Sequence, residues 1–430
     1  KINDKYYFSL GLFSLFLLII INFRTDIPWV DDWEWIENLQ LKKYSIIEWL
    51  IQPTNIHNIF FTKLIFLTVD KFFNLNLEIF SFLSIIIIFL ISIKILYKEK
   101  KLDHNILVLV IFLIFSGKQF ANISQSSNIV WTLSFMYIIL FNYLLFKNIY
   151  LTSLIIFIAP LTFGLGYTIP LYNIFFIYFA KISRNKKIQY LIVSICSIFL
   201  AYSVPQFFLD SKLITDSGLN YLHNIFNIKF YFVFFALIAN VYVPWVNGLS
   251  SVGFIIGITQ IFLVLFFLYK DYIKLGKSEL INFLNQNILL IIGIIFSLIV
   301  SITRPDFQTA VAARYSVGSI IFQIGFWLFF AKKFKPLIPK FQNLIKILII
   351  YVFISGLFFP YQGIHWQAKR YSENNKIIYC LKKNKEQEIC IKNAYEILFY
   401  GGQWYNYKDF KLQIEYLIKN KKSFLSGVEK

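Results

Sequence analysis

Long apolar runs follow one another along this chain and are separated by short polar segments. The clearest runs are Tyr6 to Phe23, Ile79 to Ile93, Ile188 to Val204, Ile288 to Ile302 and Leu344 to Phe359. Each run is close to the roughly 20 residues that a helix needs to cross about 30 Å of hydrocarbon. The pattern therefore predicts an all-α membrane protein, and the runs are too numerous and too late in the chain to be signal peptides.

Composition agrees with this interpretation. Of the 430 residues, 58% are hydrophobic and 15% are charged. A water-soluble fold with this composition would have too few polar side chains to cover its surface. The surface of the fold must therefore face lipid.

The formal net charge of +19 could also suggest nucleic-acid binding. The basic residues, however, cluster in short segments between apolar runs, as cytoplasmic loops do under the positive-inside rule. These clusters are Lys98, Lys100 and Lys101; Lys181, Arg184, Lys186 and Lys187; Lys270, Lys274 and Lys277; Lys332, Lys333 and Lys335. Their placement predicts membrane orientation and no nucleic-acid partner.

Placing every basic cluster inside fixes the topology, because successive crossings alternate between the two sides of the membrane. The amino terminus, with Lys1 and Lys5, lies inside, and about eleven transmembrane helices follow. Alternation requires the apolar runs 59–73 and 228–243 to remain on the outer side as interfacial or re-entrant segments. A transmembrane domain at 1–360, with its first outer loop at 24–78, then precedes an extracytoplasmic carboxyl-terminal cap at 361–430.

Acidic residues gather in the first outer loop, TDIPWVDDWEWIENL. The adjacent Asp31 and Asp32 project in different directions, so one can face a cavity while the other orients the chain. Trp29, Trp33 and Trp35 suit the membrane interface, where a carboxylate can act as general base toward a lipid-borne substrate. Asp32 is favoured because it lies nearer the expected helix start at Trp33, whereas the structural alternative is that Asp31 only caps that helix.

Two further polar clusters are expected on the outer side. QPTNIHNIFFTKL contains Asn55, His57 and Lys63, and its histidine either donates to a phosphate or sugar oxygen or caps the following helix. TRPDFQTAVAARYS contains Arg304 and Arg314, whose planar guanidinium groups match phosphate. The alternative for Arg314 is that it reaches toward the lipid headgroups.

The order of these clusters resembles bacterial membrane glycosyltransferases of the GT-C fold. The resemblance rests on an early outer Asp-Asp-Trp loop, an Asn-x-His segment before an apolar helix, and a late Arg followed by Arg-Tyr. FANISQSSNIVWTLSF and LTFGLGYTIP are also similar, and the likeness extends to about residue 320. The chain departs from the pattern at Ile56, Asn58 and Ala313, where the family has Glu, Arg and Ser.

The resemblance implies a sugar transferase that works on the outer face of the bacterial cytoplasmic membrane. Its donor would be a sugar on a polyprenyl phosphate, and its acceptor a glycan, a lipid or a protein. Asp31 or Asp32 would be catalytic, and a divalent cation stays open because the first-loop carboxylate of the family is a base or is associated with a metal. Substrate binding would fall to six residues: Asn55, His57, Lys63, Arg304, Arg314 and Tyr315.

Two other functions remain as alternatives. A flippase or transporter of lipid-linked oligosaccharide normally carries charged residues within its helices near the midplane, and the spans here carry almost none. A polymerase or ligase of lipid-linked oligosaccharide normally has a late, large working loop, whereas the acidic cluster here comes early.

Cys380 and Cys390 lie close together in the polar tail. If the tail is outside, it faces an oxidising compartment, and a local disulfide would close a small loop. Two free thiols are the alternative.

Overall fold

The computed structural model describes residues 2–23, 26–28, 30–41, 44–52, 59–206, 223–244, 249–306, 308–309, 312–334, 338–358, 363–383, 387–399 and 406–425. Within these ranges the chain is helical and contains no strand. Twenty α-helices are found in the described part. They are α1 (Ile2–Phe23), α2 (Val30–Leu41), α3 (Ile46–Ile51), α4 (Phe60–Phe73), α5 (Glu78–Lys98), α6 (His104–Ile114), α7 (Phe120–Ser124), α8 (Ile129–Leu144), α9 (Ile149–Ile158), α10 (Thr168–Phe176), α11 (Arg184–Gln206), α12 (Ile228–Ile238), α13 (Ser250–Leu275), α14 (Lys277–Gln286), α15 (Ile288–Thr303), α16 (Ser316–Lys333), α17 (Ile338–Phe358), α18 (Ile364–Lys383), α19 (Gln387–Phe399) and α20 (Tyr407–Lys419).

Seven helical segments of the described chain are long and apolar enough to cross a membrane. An eighth results if the pair Ser278–Gln286 and Ile288–Thr303, bent by 79°, is counted as one span. The chain is therefore a helical, multi-pass membrane protein, as predicted; the count of about eleven crossings and the side on which each terminus lies stay predictions. The seven segments are Tyr6–Phe23, Glu78–Lys98, His104–Ser124, Ser126–Leu144, Ser250–Lys274, Ala313–Lys333 and Ile338–Phe358.

The basic clusters of the sequence meet at one end of the helical bundle, which we call the basic end. Lys332 forms an ion pair of 3.7 Å with Glu99, and Lys333 forms another with Asp271. Nearby, Lys181 donates to the side-chain oxygen of Asn282 at 2.7 Å. One polar cleft is lined by residues of the 268–287 and 329–333 segments. Four separate basic clusters thus share one side, as the topology requires.

The short apolar helix α12 begins and ends near a single connection. Before it, the side-chain amide of Asn224 donates to the carbonyl of Ile302 at 2.8 Å. After it, the amide of Asn240 donates to the carbonyl of Ala312 at 3.3 Å. Ile302 and Ala312 flank the connection between α15 and α16, opposite the basic end. Both ends of α12 therefore lie on one side, which agrees with the interfacial or re-entrant interpretation of 228–243.

The end of the bundle opposite the basic end, here called the cap end, carries α2, α3, α4 and the tail helices. Gln367 of α18 donates to the carbonyl of Phe23 at 3.0 Å, where α1 ends. Gln40 of α2 donates to the carbonyl of Leu412 in α20 at 3.1 Å. The tail and the first loop thus lie on the same side of the bundle. The predicted boundary at residue 360 stays a prediction, but the helices on its two sides contact one another.

Trp33 is at the centre of this shared packing. It is completely buried, and its ring meets that of Phe410 edge to face at 4.8 Å and that of Phe399 at 6.2 Å. Trp35 is also buried, against Phe66 of α4 at 5.1 Å. The sequence placed both tryptophans at the lipid headgroups, and this was wrong: they form the core between the first loop and its neighbours.

A disulfide links Cys380 at the end of α18 to Cys390 in α19. The predicted bridge is confirmed. It closes the turn between two tail helices, whereas Cys196 is a free, exposed cysteine of α11.

Candidate functional site

Asp32 joins the first loop to the transmembrane bundle. Helix α2 begins at Val30, three residues before the start expected from the sequence, so Asp32 lies in its first turn. The side chain is completely buried, and its Oδ2 accepts a hydrogen bond from the hydroxyl of Ser126. Ser126 opens the short 3₁₀ turn Ser126–Asn128 that leads into α8. Asp32 therefore fixes α2 against the start of a transmembrane helix.

The side chain of Asp31 lies outside the described part, together with Trp29, Asn55 and His57. Asp32, in contrast, is completely buried and bound to Ser126, so a substrate does not reach its carboxylate directly. This favours Asp31 over Asp32 as the carboxylate that a substrate can reach, the reverse of the order favoured by the sequence.

Lys63 is buried and hydrogen-bonded to backbone carbonyls of its own chain. It is 2% exposed, and its ammonium donates to the carbonyls of Trp49 at 2.8 Å and Gln52 at 2.6 Å. These carbonyls belong to the last turn of α3 and the residue after it, which an α-helix leaves without intrahelical partners. Burial lowers the pKa of Lys63 to about 8, while the charge of Glu34 opposes that shift. Lys63 thus joins α3 to α4, which accounts for its burial without a substrate.

Arg304 and Arg314 both lie on the connection between α15 and α16, and both are exposed. Arg304 follows the last residue of α15, and its backbone N–H donates to Val300 at 2.8 Å. The guanidinium of Arg314 lies over the ring of Tyr315, 5.2 Å from its centroid. The two cations are thus presented at the cap end, where an anionic group could reach them.

Tyr315 and the acidic loop are linked through the start of α8. The ring of Tyr315 is buried and meets that of Trp131 edge to face at 5.7 Å. Trp131 lies five residues after Ser126, the hydroxyl donor to Asp32. The 3₁₀ turn before α8 therefore contacts the first loop, and the first turn of α8 contacts the turn that carries Arg314.

Lys118 is a buried cation that the sequence analysis did not select. It lies in the 3₁₀ turn Gly117–Gln119, which interrupts the span His104–Ser124 between α6 and α7. Its exposure is 3%, and its ammonium donates to the backbone oxygen of Asn240 at 2.5 Å and to the side-chain oxygen at 3.1 Å. The backbone packs directly against α17 at this break, where a Cβ on Gly117 would lie 2.0 Å from the Cα of Gly356.

A sequence signal for this break does exist. Gly117 precedes the lysine, and amide side chains recur every third residue after it, at Gln119, Asn122, Gln125 and Asn128. Two hydrogen bonds join these amides in pairs, Asn122 to Gln119 at 3.2 Å and Asn128 to Gln125 at 2.5 Å. A polar stripe of this kind between two apolar runs indicates a broken helix buried in protein rather than a loop in water.

The turn after α12 is held by side chains of α16. Ser319 accepts from the backbone N–H of Val241 at 3.0 Å and donates to the carbonyl of Ile238 at 2.9 Å. Gln323 donates to the same Ile238 carbonyl at 3.0 Å and accepts from the hydroxyl of Tyr242 at 3.0 Å. The break between α12 and the 3₁₀ turn Asn240–Tyr242 is thus hydrogen-bonded to side chains of α16, as a re-entrant segment requires.

Asp26 forms a clasp between the first loop and the end of the tail. Its carboxylate accepts from the backbone N–H of Leu77 at 2.5 Å, and its carbonyl accepts from the hydroxyl of Ser423 at 2.7 Å. A few residues away, Lys422 forms an ion pair of 2.5 Å with Asp70. Burial raises the pKa of Asp26 to about 8, against the opposing hydrogen bond from Leu77.

Within the described residues, no group of three or more His, Cys, Asp and Glu side chains could hold a metal ion. Whether the acidic loop holds a divalent cation stays open, because Asp31 and His57 belong to the part whose side chains are not described. Comparison of the chain with protein-family models, with curated proteins and with solved structures gives no match. The functional argument therefore rests on this chain's own residues and geometry.

Proposed function

We propose that this chain is a membrane glycosyltransferase that moves a sugar from a polyprenyl-phosphate donor to a glycan, lipid or protein acceptor at the cap end of the bundle. The observation that carries the proposal is a pair of contacts at and just before the start of α8: Ser126 of the preceding 3₁₀ turn binds Asp32, and Trp131 of α8 contacts Tyr315. A general base and two phosphate-binding cations are the groups that transfer from a sugar phosphate needs. The start of α8 and the turn before it contact α2, which carries the proposed base, and the connection between α15 and α16, which carries the two cations.

In the proposed reaction the oxygen of an acceptor hydroxyl attacks the anomeric carbon of the donor. Asp31 takes the hydroxyl proton as the new bond forms. The bond between the anomeric carbon and the phosphate oxygen breaks, and polyprenyl phosphate leaves with the electron pair. Arg304 and Arg314 stabilise the leaving phosphate, while Asp32 keeps α2 in place through Ser126.

The arginines provide the first test. Arg304→Lys and Arg314→Lys each retain a positive charge but lose the planar fork that binds two phosphate oxygens. We expect transfer of labelled sugar from a polyprenyl-phosphate donor in membrane vesicles to fall about tenfold or more in each variant, as the loss of one charge-assisted hydrogen bond predicts. Arg184→Lys, at the basic end, is the matched control and should transfer normally. Full activity of both cap-end variants would mean that these arginines only anchor helices.

A transporter of lipid-linked oligosaccharide is the second candidate, and Lys118 is the observation that favours it. Transporter sites are commonly built where helices are interrupted within the membrane. Here an interrupted span presents a buried cation to a re-entrant segment. A transferase acts on donor already at the outer face, whereas a transporter delivers it there, so the two functions differ in which leaflet holds the donor when the protein is missing.

A further inference from the structure

Lys118, Asn240 and Ala312 form a continuous chain of hydrogen bonds across three segments of the fold. The ammonium of Lys118 binds both oxygens of Asn240, at 2.5 and 3.1 Å. The amide nitrogen of the same Asn240 side chain donates to the carbonyl of Ala312 at 3.3 Å. One amide group therefore connects the broken span to the residue that precedes the Ala313–Tyr315 turn.

The first two members of this chain, Lys118 and Asn240, are fixed by the packing of their neighbours. The backbone next to Lys118 is held because Gly117 lies directly against Gly356. The backbone next to Asn240 is held because Ser319 binds the N–H of Val241. The position of the Lys118 ammonium relative to Asn240 is thus determined from two sides. Ala312, which accepts a hydrogen bond from the Asn240 amide, is held in place by these two residues.

The charge of Lys118 is costly at this place. A buried ammonium is strongly unfavourable unless it is hydrogen-bonded, and ionisable residues within membrane spans are expensive and mark functional sites by default. An uncharged side chain of similar length could fill the same volume. A cation adds strong, charge-assisted bonds to carbonyl oxygens, so that Asn240 is held in one orientation, with its amide nitrogen toward Ala312.

We propose that Lys118 is a positioning residue that acts through Asn240 to set where the Ala313–Tyr315 turn presents Arg314. This inference rests on the proposed function for the role of Arg314 as a phosphate ligand, but not for the coupling itself. Lys118 does not touch the donor. It determines the position of the residue that does.

The coupling can be measured without any transfer assay. A cysteine at Ala312, which is partly buried, reports on the turn through its rate of reaction with a maleimide in purified, detergent-solubilised protein. A second cysteine at the partly buried Ala368 of α18, in a separate sample, reports on the rest of the cap end. Cys196→Ser removes the free thiol from both backgrounds, and the Cys380–Cys390 disulfide remains.

Three variants distinguish a specific effect of Lys118 on the turn at Ala312 from a general destabilisation of the cap end. Lys118→Met keeps the length of the side chain but removes the cation, and Asn240→Asp keeps an acceptor for Lys118 while it removes the donor to Ala312. Lys63→Met removes another buried lysine that binds backbone carbonyls elsewhere, and it is the matched control.

We expect Lys118→Met and Asn240→Asp to accelerate labelling at Ala312 by about fivefold to tenfold, the effect of one lost hydrogen bond on a local opening equilibrium, with little change at Ala368. Lys63→Met should leave Ala312 unchanged. Unchanged labelling at Ala312 in both variants would overturn the proposal, as would equal acceleration at Ala312 and Ala368. If labelling changes as expected but no variant or parent transfers sugar, the coupling stands and the proposed function fails.

Discussion

The two ends of the bundle differ in the charged contacts that join their helices. At the basic end, Lys332 is 44% exposed and its partner Glu99 17%, in an ion pair of 3.7 Å. At the cap end, Asp32 and Lys118 are buried, and their partners are a hydroxyl and the oxygens of an amide residue. Exposed ion pairs contribute little to stability, whereas buried charged groups fix the segments they bind. The basic end therefore carries the clusters from which the orientation was predicted, and the cap end carries the buried contacts on which the proposed function rests.

The largest expected difference between the two ends concerns carboxylates. Asp31→Asn should reduce transfer by about 10²-fold to 10⁴-fold, the usual effect of losing a general base, while the protein inserts normally. Asp32→Asn should reduce transfer less, because an amide still accepts from Ser126. Asp271→Asn at the basic end is the control and should transfer at the parental rate. A full loss in Asp32→Asn with normal transfer in Asp31→Asn would reverse the assignment of the two carboxylates.

Packing at the cap end should also matter more than packing at the basic end. Trp33→Ala leaves a cavity between α2 and the tail and should destabilise that region by about 3 to 5 kcal/mol. Tyr178→Ala, at a ring that is 78% exposed near the basic end, should have almost no effect. Thermal unfolding in detergent and limited proteolysis of the tail would measure the difference. Equal unfolding temperatures would show that the tail does not share a core with the first loop.

A smaller difference in stability is expected between loss of the bridged Cys380 and loss of the free Cys196. Cys380→Ser opens the bridge between α18 and α19 and should cost about 2 to 3 kcal/mol, as loop closure over a short segment predicts. Cys196→Ser changes the free cysteine of α11 and should leave stability unchanged. Mass spectrometry of unreduced peptides checks the bridge directly: alkylation of both tail thiols without prior reduction would show that it does not form.

A pH dependence of the clasp is also expected. The pKa of Asp26 is raised by burial from 3.8 to about 8, so between these pH values the folded state holds a proton that the unfolded chain has lost. Its contribution to the free energy of unfolding therefore falls as the pH rises through this window. The pKa of Lys63, lowered by burial from 10.5 to about 8, acts in the opposite direction, but between about pH 8 and 10.5.

Thermal unfolding at pH 6 and pH 8 separates the two groups. Asp26→Asn should reduce the decline in the unfolding temperature between these pH values, and Lys63→Met should leave this decline as it is in the parent. If the unfolding temperature of Asp26→Asn declined as much as that of the parent, a group other than Asp26 would be responsible for the pH dependence.

Much of the fold could be predicted because its signals are local. The length of an apolar run such as 79–93 and the sign of the charges beside it are sufficient for membrane insertion and for the shared side of the basic clusters. The spacing of Cys380 and Cys390 suggested their bridge, which the structure contains, whereas the non-crossing of 228–243 stays a prediction.

The site could be predicted less well because its contacts join distant residues. Trp33 lies in a polar, tryptophan-rich loop beside a membrane span, which is typical of the membrane interface. Only its contact with Phe410 shows that it belongs to the protein core. Lys118 resembles a loop lysine until Gly117 is seen against Gly356. The choice between Asp31 and Asp32 depended on Ser126, which the sequence analysis did not connect with the first loop.

The central claim, that this protein consumes a lipid-linked sugar at the cap end, is tested most directly by the leaflet in which that sugar accumulates. Intact spheroplasts of a deletion strain would be treated with periodate, which oxidises only sugars exposed on the outer surface, and the lipid-linked sugars then extracted and compared with those of the parent. The account predicts more donor in the deletion strain, open to periodate, with correction by the parent chain but not by Asp31→Asn. Accumulation of donor protected from periodate would instead identify a transporter, and unchanged donor in both leaflets would contradict the account.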